Sequence, residues 1–267
     1  MYIDINCDDP CRYDLRCRYP KDGTPHNRLA SLLSSGNERY RQTIAGIEEY
    51  RSFFDEIREV TPDPIEPCWN NLFFSSADAI SLGYFLARSN PAHFLEVGSG
   101  YSTKFAFRTI SRYKLDTKII SVDPSPRADI DNLCHQFHRS RLEESNLELF
   151  SCLKAGDVLL VDNSHRCLQN SDANVFFTEV LPAVDPGVLI GIHDVLLPWD
   201  YPDEWINRLY NEHYLLAIYL LFSNAYEIVL PVFFCKQLGY FDRFEDRASN
   251  FCTQMRMGGC CFWFKKL

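Results

Sequence analysis

The residues best suited to chemistry follow directly after short apolar runs. The first group is the turn Gly98-Ser99-Gly100, which comes after the run 93–97 and precedes a helix-like stretch that begins with Tyr101 and Ser102. Glycines let the backbone turn sharply and approach a ligand closely, and the free N–H groups of a new helix face the same space. The pattern predicts a site for a small cofactor, although any tight turn between a strand and a helix can use the same glycines.

Three acids stand at the ends of further apolar runs, namely Asp123, Asp162 and Asp194. The carboxyl ends of parallel strands open into one crevice, so these carboxylates are expected to face the same cleft. Asp123 follows the apolar run that comes next after the glycine turn, where an acid can accept hydrogen bonds from both ribose hydroxyls of an adenosine. The alternative is a solvated Asp that caps the loop before Pro124.

The apolar runs alternate with helix-like stretches, as they do in an α/β fold. Four continuous β-rich runs span 93–98, 118–123, 157–162 and 187–194. Continuous apolar residues are typical of parallel strands that are buried on both faces. Helices are predicted at about 75–88 and 202–222, and two further strands at 226–232 and 260–264.

The first sixty residues differ in character from the rest. Apolar residues at helical spacing predict a helix from about 37 to 59 that buries one face. The proline-containing segment 61–67 cannot be helical and connects this part to the main domain. The sequence therefore predicts a polar segment and helical cap over 1–60 and one α/β domain over 61–267.

The net charge limits the partners that we expect, and the first residues and the length of the apolar runs indicate the location. Lys and Arg number 27 against 36 Asp and Glu, a formal net charge of −9 that repels phosphate backbones and anionic membranes. We therefore expect neither nucleic acid nor a membrane as partner. The first residues have acids where a signal peptide carries a basic region, and no run approaches about 18 apolar residues, so a cytoplasmic protein is expected.

The 11 cysteines are expected to be free thiols in that compartment. Two groups cluster, one of Cys7, Cys11 and Cys17 and one of Cys252, Cys260 and Cys261. The spacing of the first group differs from the CxxC of zinc sites and from the CxxxCxxC of radical cluster enzymes, so no metal centre is expected there. The roles of both groups stay open.

Several motifs together resemble class I S-adenosylmethionine-dependent methyltransferases. They are the turn 96–100, Asp123, the run 156–162 and the segment 181–188, and the likeness spans about Trp69 to the C-terminus. The segments 161–165 and 192–202 are similar to a bacterial branch that methylates small molecules, some of whose genes lie beside polysaccharide genes. The resemblance implies a Rossmann-like, doubly wound, mostly parallel seven-stranded sheet with an antiparallel last strand.

The resemblance also implies S-adenosylmethionine as cofactor and a role for each matching residue. The turn would surround the methionine part, Asp123 would hold the ribose, and Asp162 would lie beside the sulfonium. The stretch at Leu142 and Glu143 would lie near adenine. The predicted cofactor residues are Glu96, Gly98, Ser99, Gly100, Tyr101, Ser102, Asp123, Leu142 and Asp162.

Methyl transfer requires the protein to align and deprotonate the acceptor. His193 is the first choice as general base, because imidazole titrates near neutrality and His193 lies where the run 187–194 opens into the cleft. His165 is the second choice. Either histidine could instead hydrogen-bond a loop. The predicted catalytic residues are His193, His165 and Asp162, and the predicted acceptor-binding residues are Trp69, Asn70, Asp194, Trp199, Asp200 and Tyr201.

A divalent metal is a rival use of Asp162, His165, His193 and Asp194, which offer oxygen and imidazole ligands around one cleft. It is not favoured, because the adjacent Asp-Asp or Asp-Asn pair of typical metal-dependent subfamilies is missing.

The favoured function is methylation of a small-molecule or sugar hydroxyl rather than an amine. The alternatives are an NAD-type oxidoreductase, opposed by Thr103 in place of the third glycine of GxGxxG, and a non-catalytic binding protein. The acceptor and the oligomeric state, a homodimer included, stay open.

Overall fold

A seven-stranded sheet organises the fold in the computed structural model, which describes residues 16–244 and 258–267. The strands are β1 His93–Val97, β2 Lys118–Val122, β3 Gln136–His138, β4 Val158–Val161, β5 Leu189–Ile192, β6 Tyr226–Pro231 and β7 Phe262–Lys266. Their order is β3-β2-β1-β4-β5-β7-β6. All run parallel except β7, which is antiparallel to both of its neighbours, β5 and β6. The predicted Rossmann-like fold is confirmed.

Helices cover the sheet on both faces, so its central strands β4 and β5 are fully buried. The helices are α1 Asn27–Ser34, α2 Asn37–Glu48, α3 Arg51–Asp55, α4 Ser76–Ser89, α5 Tyr101–Tyr113, α6 Asp172–Val175, α7 Leu181–Ala183, α8 Glu212–Phe222 and α9 Val232–Gln237. A π-helical turn, Phe176–Val180, joins α6 to α7. Short 3₁₀ helices span Asp131–Leu133, Leu142–Glu144, Leu147–Cys152, Asp203–Arg208 and Asp242–Phe244.

The helix predicted over 37–59 is broken in two. The chain leaves α2 after Glu48 and resumes in α3 at Arg51. The break turns Phe53 and Phe54 into the interior, where both are buried. Buried residues of all three N-terminal helices belong to the same hydrophobic cluster as the strands of the sheet. The division of the chain at residue 60 stays a prediction.

The helix predicted over 202–222 is also interrupted. Leu209, with a left-handed backbone (φ 56°), ends the first 3₁₀ part, and α8 begins at Glu212. The backbone N–H groups of Asn211 and Glu212 both donate to the carbonyl of His165, at 2.9 and 3.2 Å. The interruption therefore anchors the start of α8 to the loop that follows β4.

Two predictions concern membrane-spanning segments and the state of the cysteines, and both can be compared only with the described residues. No helix among the described residues is long and apolar enough to cross a bilayer. Cys7, Cys11 and Cys252 lie outside the described residues. The cysteines inside them are all unpaired, namely Cys17, Cys68, Cys134, Cys152, Cys167, Cys235, Cys260 and Cys261.

Candidate cofactor and acceptor site

Two adjoining cavities open at the carboxyl ends of β1, β2, β4 and β5. The larger has a volume of about 470 Å³ and the smaller about 240 Å³. The strand order reverses direction between β1 and β4, which is where open α/β sheets bind ligands. The two cavities share walls formed by Phe73, Phe74, Arg127 and Asp162.

The glycine turn forms one side of the larger cavity. Gly98 has a φ of 80°, in the left-handed region, and a Cβ there would lie 1.9 Å from the carbonyl oxygen of Asp162. That contact is impossible, so only glycine fits between β1 and the end of β4. Ser99, Gly100, Tyr101 and Ser102 line the same cavity, as predicted.

Glu96 has a different place from the one predicted. The sequence places it around the cofactor, but its side chain is fully buried beneath the turn. The hydroxyls of Ser102 and Thr103, in the first turn of α5, both donate to its carboxyl group. The reason is geometric: side chains alternate between the faces of β1, and that of Glu96 points under the helix, so it supports the turn.

Burial raises the pKa of Glu96 to about 8, against the opposing effect of hydrogen bonds from Thr103, Ser102 and Ser121. The folded protein therefore holds this proton more tightly than the unfolded chain, whose carboxyl has a pKa near its ordinary 4.5. It follows that the contribution of Glu96 to the free energy of unfolding is greatest below that ordinary pKa. It falls as the pH rises toward the folded pKa.

We expect Glu96→Gln to remove this dependence. The difference in the free energy of unfolding between the wild type and the variant should change with pH by up to about 1.4 kcal/mol per unit in that window. Urea unfolding of both proteins at several pH values measures it. A difference that stays constant across the window would show that Glu96 does not titrate there.

Asp123 lies at the wall of the larger cavity, as predicted. Its Oδ2 accepts hydrogen bonds from the backbone N–H and the hydroxyl of Ser99, at 2.7 and 3.1 Å, and its Oδ1 accepts one from the N–H of Ser125 at 2.7 Å. The carboxylate thus caps its own loop and also joins that loop to the glycine turn. Leu142 and Glu143 line the same cavity, and their place near adenine stays a prediction.

Asp162, His165, His193 and Asp194 come together in the smaller cavity and form what we call the His–Asp cluster. His165 Nε2 lies 3.2 Å from Asp162 Oδ1 and 3.4 Å from Asp194 Oδ2. His193 Nδ1 lies 3.2 Å from Asp162 Oδ1 and 3.5 Å from Asp194 Oδ1. The three predicted catalytic residues therefore do share one site.

Each histidine of the cluster uses its other ring nitrogen on a fully buried carboxylate. His165 Nδ1 lies 2.9 Å from Glu212 of α8, and His193 Nε2 lies 3.3 Å from Asp78 of α4. Desolvation lowers the pKa of both imidazoles, but the surrounding carboxylates more than offset it and raise each pKa well above the ordinary value. These shifts favour the protonated, positively charged form of both rings in the folded protein.

This charge state bears on the role predicted for His193. An imidazolium has no lone pair with which to accept a proton, so His193 can act as a base only after its own proton has gone elsewhere. The same positive charges lower the pKa of Asp162, against the opposing effect of its burial, so that Asp162 is a carboxylate. The role of His193 as base stays a prediction.

The backbone that presents the cluster is strained at two points. His165 and Asp194 both have positive φ values, 58° and 54°. Side chains other than glycine rarely adopt this region, and such strain gathers at functional sites where the surrounding structure holds it. Here the carbonyl of His165 is held by the start of α8, and Asn163 Nδ2 donates to Glu212 at 2.9 Å.

The structure places all three residues of the predicted acceptor loop 199–201 outside the walls of the smaller cavity. Trp199 packs on Phe233 and Phe234 instead. Asp200 accepts hydrogen bonds from the backbone N–H groups of residues 18 and 19, and Tyr201 stacks on the buried ring of His213. Asp200 thus fastens the N-terminal segment to this loop, and the rings of Trp199 and Tyr201 fasten the loop to the core.

Trp69 and Asn70 are not in the cavity walls either. Trp69 is buried against Phe105, and the backbone of Asn70 is tied to residue 59. The cavity is walled instead by residues a few positions further along both stretches, Phe73, Phe74 and Ser75 in one and Trp205, Arg208 and Tyr210 in the other. Asp194, also predicted to bind the acceptor, does line the cavity.

Sequence reasoning missed two arginines and a buried acid at this site. Arg127 lies over the ring of Phe73, 4.9 Å from its centroid, and Arg208 lies over Trp205 at 4.1 Å. Asp78 accepts hydrogen bonds from the backbone N–H groups of Cys260 and Cys261. The aromatic residues near Trp205 were a signal in the sequence, but no local pattern distinguishes these two arginines or Asp78.

Comparison with known proteins finds a match over the middle of the chain. The family model of a methyltransferase domain matches residues 95–195, the segment that runs from β1 past β5. No curated protein matches the chain.

Among solved structures, the chain is similar to the O-methyltransferase from Bacillus cereus in complex with SAH, at 16% identity and a TM-score of 0.40 over 70% of this chain and 81% of that one. It is also similar to the SAH-bound methyltransferase PaMTH1 of Podospora anserina, at 15% identity and 0.41 over 70% and 84%. A third is the O-methyltransferase TomG of Streptomyces achromogenes with SAM, at 19% and 0.36 over 69% and 79%. The chain thus carries, over residues 95–195, a segment that matches a methyltransferase domain, and this segment runs through β1 to β5 of the seven-stranded sheet.

Proposed function

We propose that this enzyme methylates a hydroxyl oxygen of a small molecule, with the cofactor in the larger cavity and the acceptor in the smaller one. One observation carries the proposal: the two cavities meet at Asp162, which belongs to both walls. A methyl group passed from one cavity to the other crosses at the wall that they share, which Asp162 forms together with Phe73, Phe74 and Arg127. When bound, S-adenosylmethionine supplies the electrophilic methyl carbon.

The residues of the larger cavity fit this cofactor. A cradle without Cβ atoms at Gly98 and Gly100 allows close approach to the backbone, and α5 begins there with free N–H groups. Asp123 uses its carboxylate on three donors of its own chain and retains acceptor capacity for a ribose hydroxyl. Leu142 offers an apolar surface for adenine at the same wall.

The smaller cavity suits an acceptor with a ring and oxygen substituents. Its walls include the rings of Phe74 and Tyr210, which lie 5.5 Å from His193 and 4.7 Å from His165, centroid to centroid. Arg127 and Arg208 stand at the same cavity as donors for acceptor oxygens. Oxygen methylation is favoured because the carboxylates of the His–Asp cluster can accept the proton of a hydroxyl group, and its histidines can donate to the hydroxyl oxygen.

The partner that this function implies is a small-molecule acceptor, and the net charge of −9 disfavours nucleic acid and anionic membranes as partners. We also propose a cytoplasmic location. The unpaired state of the described cysteines supports it, because thiols persist where the environment is reducing.

Calorimetry of the full chain against S-adenosylhomocysteine and NAD tests the proposal. We expect the first to bind and the second not to, and Asp123→Asn to weaken binding about 10- to 100-fold, since a hydrogen bond to a charged group contributes about 1.5–3 kcal/mol. Asp129→Asn, an exposed acid in the same loop, is the matched control and should bind as the wild type does. Binding of NAD alone, or equal affinity in the two variants, would refute the assignment.

A further inference from the structure

We infer that the acceptor carries a negatively charged oxygen group, a carboxylate or a phosphate, and that Arg127 and Arg208 bind this group in the smaller cavity. The inference rests on the proposed function and deepens it, since it names the class of acceptor that the same cavity takes. Both arginines line this cavity. Arg127 lies in the loop after β2, and Arg208 is the last residue of the 3₁₀ helix Asp203–Arg208.

Each guanidinium lies over an aromatic ring of the same cavity wall. The guanidinium carbon of Arg127 is 4.9 Å from the ring centroid of Phe73. That of Arg208 is 4.1 Å from the centroid of Trp205 and 5.5 Å from that of Tyr210. Stacking occupies a face of the guanidinium plane and leaves the N–H groups at its edge able to donate. Such an edge matches two oxygens of a carboxylate or a phosphate.

Neither arginine is neutralised by an acid in the part of the chain that the structure describes. Over 16–244 and 258–267, no carboxylate oxygen lies within 4.0 Å of the guanidinium nitrogens of Arg127 or Arg208. Acids outnumber bases in this chain, at 36 Asp and Glu against 27 Lys and Arg. Two positive charges on one cavity wall are therefore available to a ligand of opposite charge.

Arg139 shows what a stacked arginine does in this protein when a carboxylate is at hand. Its guanidinium lies over Phe137, 4.7 Å from the ring centroid, and its Nη2 donates to both carboxylate oxygens of Asp131, at 3.0 Å each. This group lies outside the walls of both cavities. Arg127 and Arg208 have the same stacked arrangement without the anion, which the acceptor would supply.

Backbone contacts hold both arginines in place before any ligand binds. The N–H of Arg127 donates to the carbonyl of Ser99, in the glycine turn, at 3.4 Å, and its side chain also reaches the larger cavity. The carbonyl of Arg208 accepts a hydrogen bond from Arg166 Nε at 3.0 Å, and the left-handed residue Leu209 follows it. A site whose groups are already positioned loses less entropy when it binds.

The ring of Tyr210 lies between Arg208 and the His–Asp cluster. Its centroid is 4.7 Å from that of His165 and 5.5 Å from the guanidinium carbon of Arg208. An acceptor that lies along this ring would place its hydroxyl at the cluster and its anionic group at the arginine. The carboxylates of Asp162 and Asp194 disfavour the reverse orientation, because like charges repel. The cavity of about 240 Å³ limits the acceptor to a small molecule.

Calorimetry with charged and neutral probes tests the inference on the full chain loaded with S-adenosylhomocysteine. One arm compares para-hydroxybenzoate with para-hydroxybenzamide, its neutral isostere, and the other compares phenyl phosphate with phenol. In at least one arm we expect the anion to bind about 10-fold or more tightly than its neutral counterpart, because hydrogen bonds to charged groups are the strong ones. The arm that shows the preference tells carboxylate from phosphate. No preference for the anion in either arm overturns the inference.

Variants locate the anionic group. Arg208→Gln and Arg127→Gln should each weaken binding of the preferred anion about 10-fold and leave that of its neutral counterpart unchanged. Arg208→Lys keeps the charge but loses the planar edge, so it should recover only part of the loss. Arg139→Gln removes a stacked arginine outside both cavities and should bind as the wild type does. A preference that persists in both Gln variants overturns the assignment; if one of them does not fold, the other decides.

Affinity for S-adenosylhomocysteine, measured in parallel, separates the two possible failures. A wild-type chain that does not bind this ligand refutes the proposed function and with it the inference. A chain that binds it but shows no preference for an anion refutes the inference alone. If Arg127→Gln weakens binding of S-adenosylhomocysteine and leaves the preference unchanged, Arg127 serves the cofactor, and the site made of two arginines is overturned.

Discussion

Gly98→Ala is expected to lower the free energy of unfolding by about 3 kcal/mol or more, and to abolish measurable binding of S-adenosylhomocysteine. Two costs add. The backbone at Gly98 has a φ of 80°, which an L side chain adopts at a cost, and the new Cβ would lie 1.9 Å from the carbonyl oxygen of Asp162. The obstacle is backbone rather than the flexible end of a side chain, so relief requires the ends of β1 and β4 to separate.

That separation would disturb the cofactor site and the acceptor site together. Asp162 N–H donates to the carbonyl of Val97 at 2.8 Å, and Gly98 N–H donates to that of Val122 at 2.9 Å. A shift of the turn by even an ångström breaks this register and moves the carboxylate that both cavities share. Urea unfolding and calorimetry of the same preparation measure the two effects.

Gly156→Ala is the matched control for this variant. Gly156 also has a positive φ, 95°, but a Cβ there would meet nothing within 4 Å. It should therefore show the conformational cost alone, about 1–2 kcal/mol, with ligand binding intact. If the two variants lose the same stability and bind the ligand equally well, the close contact at Asp162 is not what requires glycine at position 98.

Asp78→Ala is expected to lower the free energy of unfolding by about 3–5 kcal/mol, because removing one partner leaves buried groups unpaired. The side chain is fully buried in α4, and its Oδ1 accepts the N–H of Cys260 at 2.9 Å and that of Cys261 at 2.7 Å. Its Oδ2 accepts the hydroxyl of Ser75 at 2.8 Å and lies 3.3 Å from His193. The two N–H groups and the ring of His193 would remain buried without this acceptor.

Asp131→Ala provides the comparison, since it removes an acid from an exposed ion pair. Asp131 lies 3.0 Å from Arg139, and its side chain is 63% exposed, so its loss should cost less than about 1 kcal/mol. Thermal and urea unfolding of both variants under the same conditions measure the contrast. A loss at Asp78 no larger than that at Asp131 would show that the N–H groups before β7 find other partners.

The strands were predictable because a buried parallel strand is a local pattern. The runs predicted at 93–98, 118–123, 157–162 and 187–194 contain β1, β2, β4 and β5, each trimmed by one to a few residues at its ends. The helices were predicted less well: one predicted helix is broken after Glu48 and another at Leu209, and the start of the helix after the second break is held by the carbonyl of distant His165. Apolar periodicity continues through both breaks, so it does not reveal them.

The residues of the candidate site were likewise predictable only in part. Asp123, Asp162, His193 and Asp194 were found because they follow strands, and strand ends meet at one edge of a parallel sheet. The structure places Trp199, Tyr201 and Trp69 away from the walls of the smaller cavity, because an aromatic ring in a loop packs inward or lines a cavity according to what lies beneath it. The residues next to them in the sequence do not indicate whether the ring packs inward or lines the cavity.

The sequence by itself therefore determined the sheet, the glycine turn and the acids and histidine at the ends of its strands. Only the tertiary structure decided that Asp78 of α4 and Glu212 of α8 stand behind the two histidines, and that Gly98 lies against the carbonyl of Asp162. The physical reason is that a strand end is set by local sequence, whereas the face that a helix turns to the cleft is set by the packing of the whole core. The chemistry of the His–Asp cluster depends on those packed partners, since they fix the orientation and the charge of each imidazole.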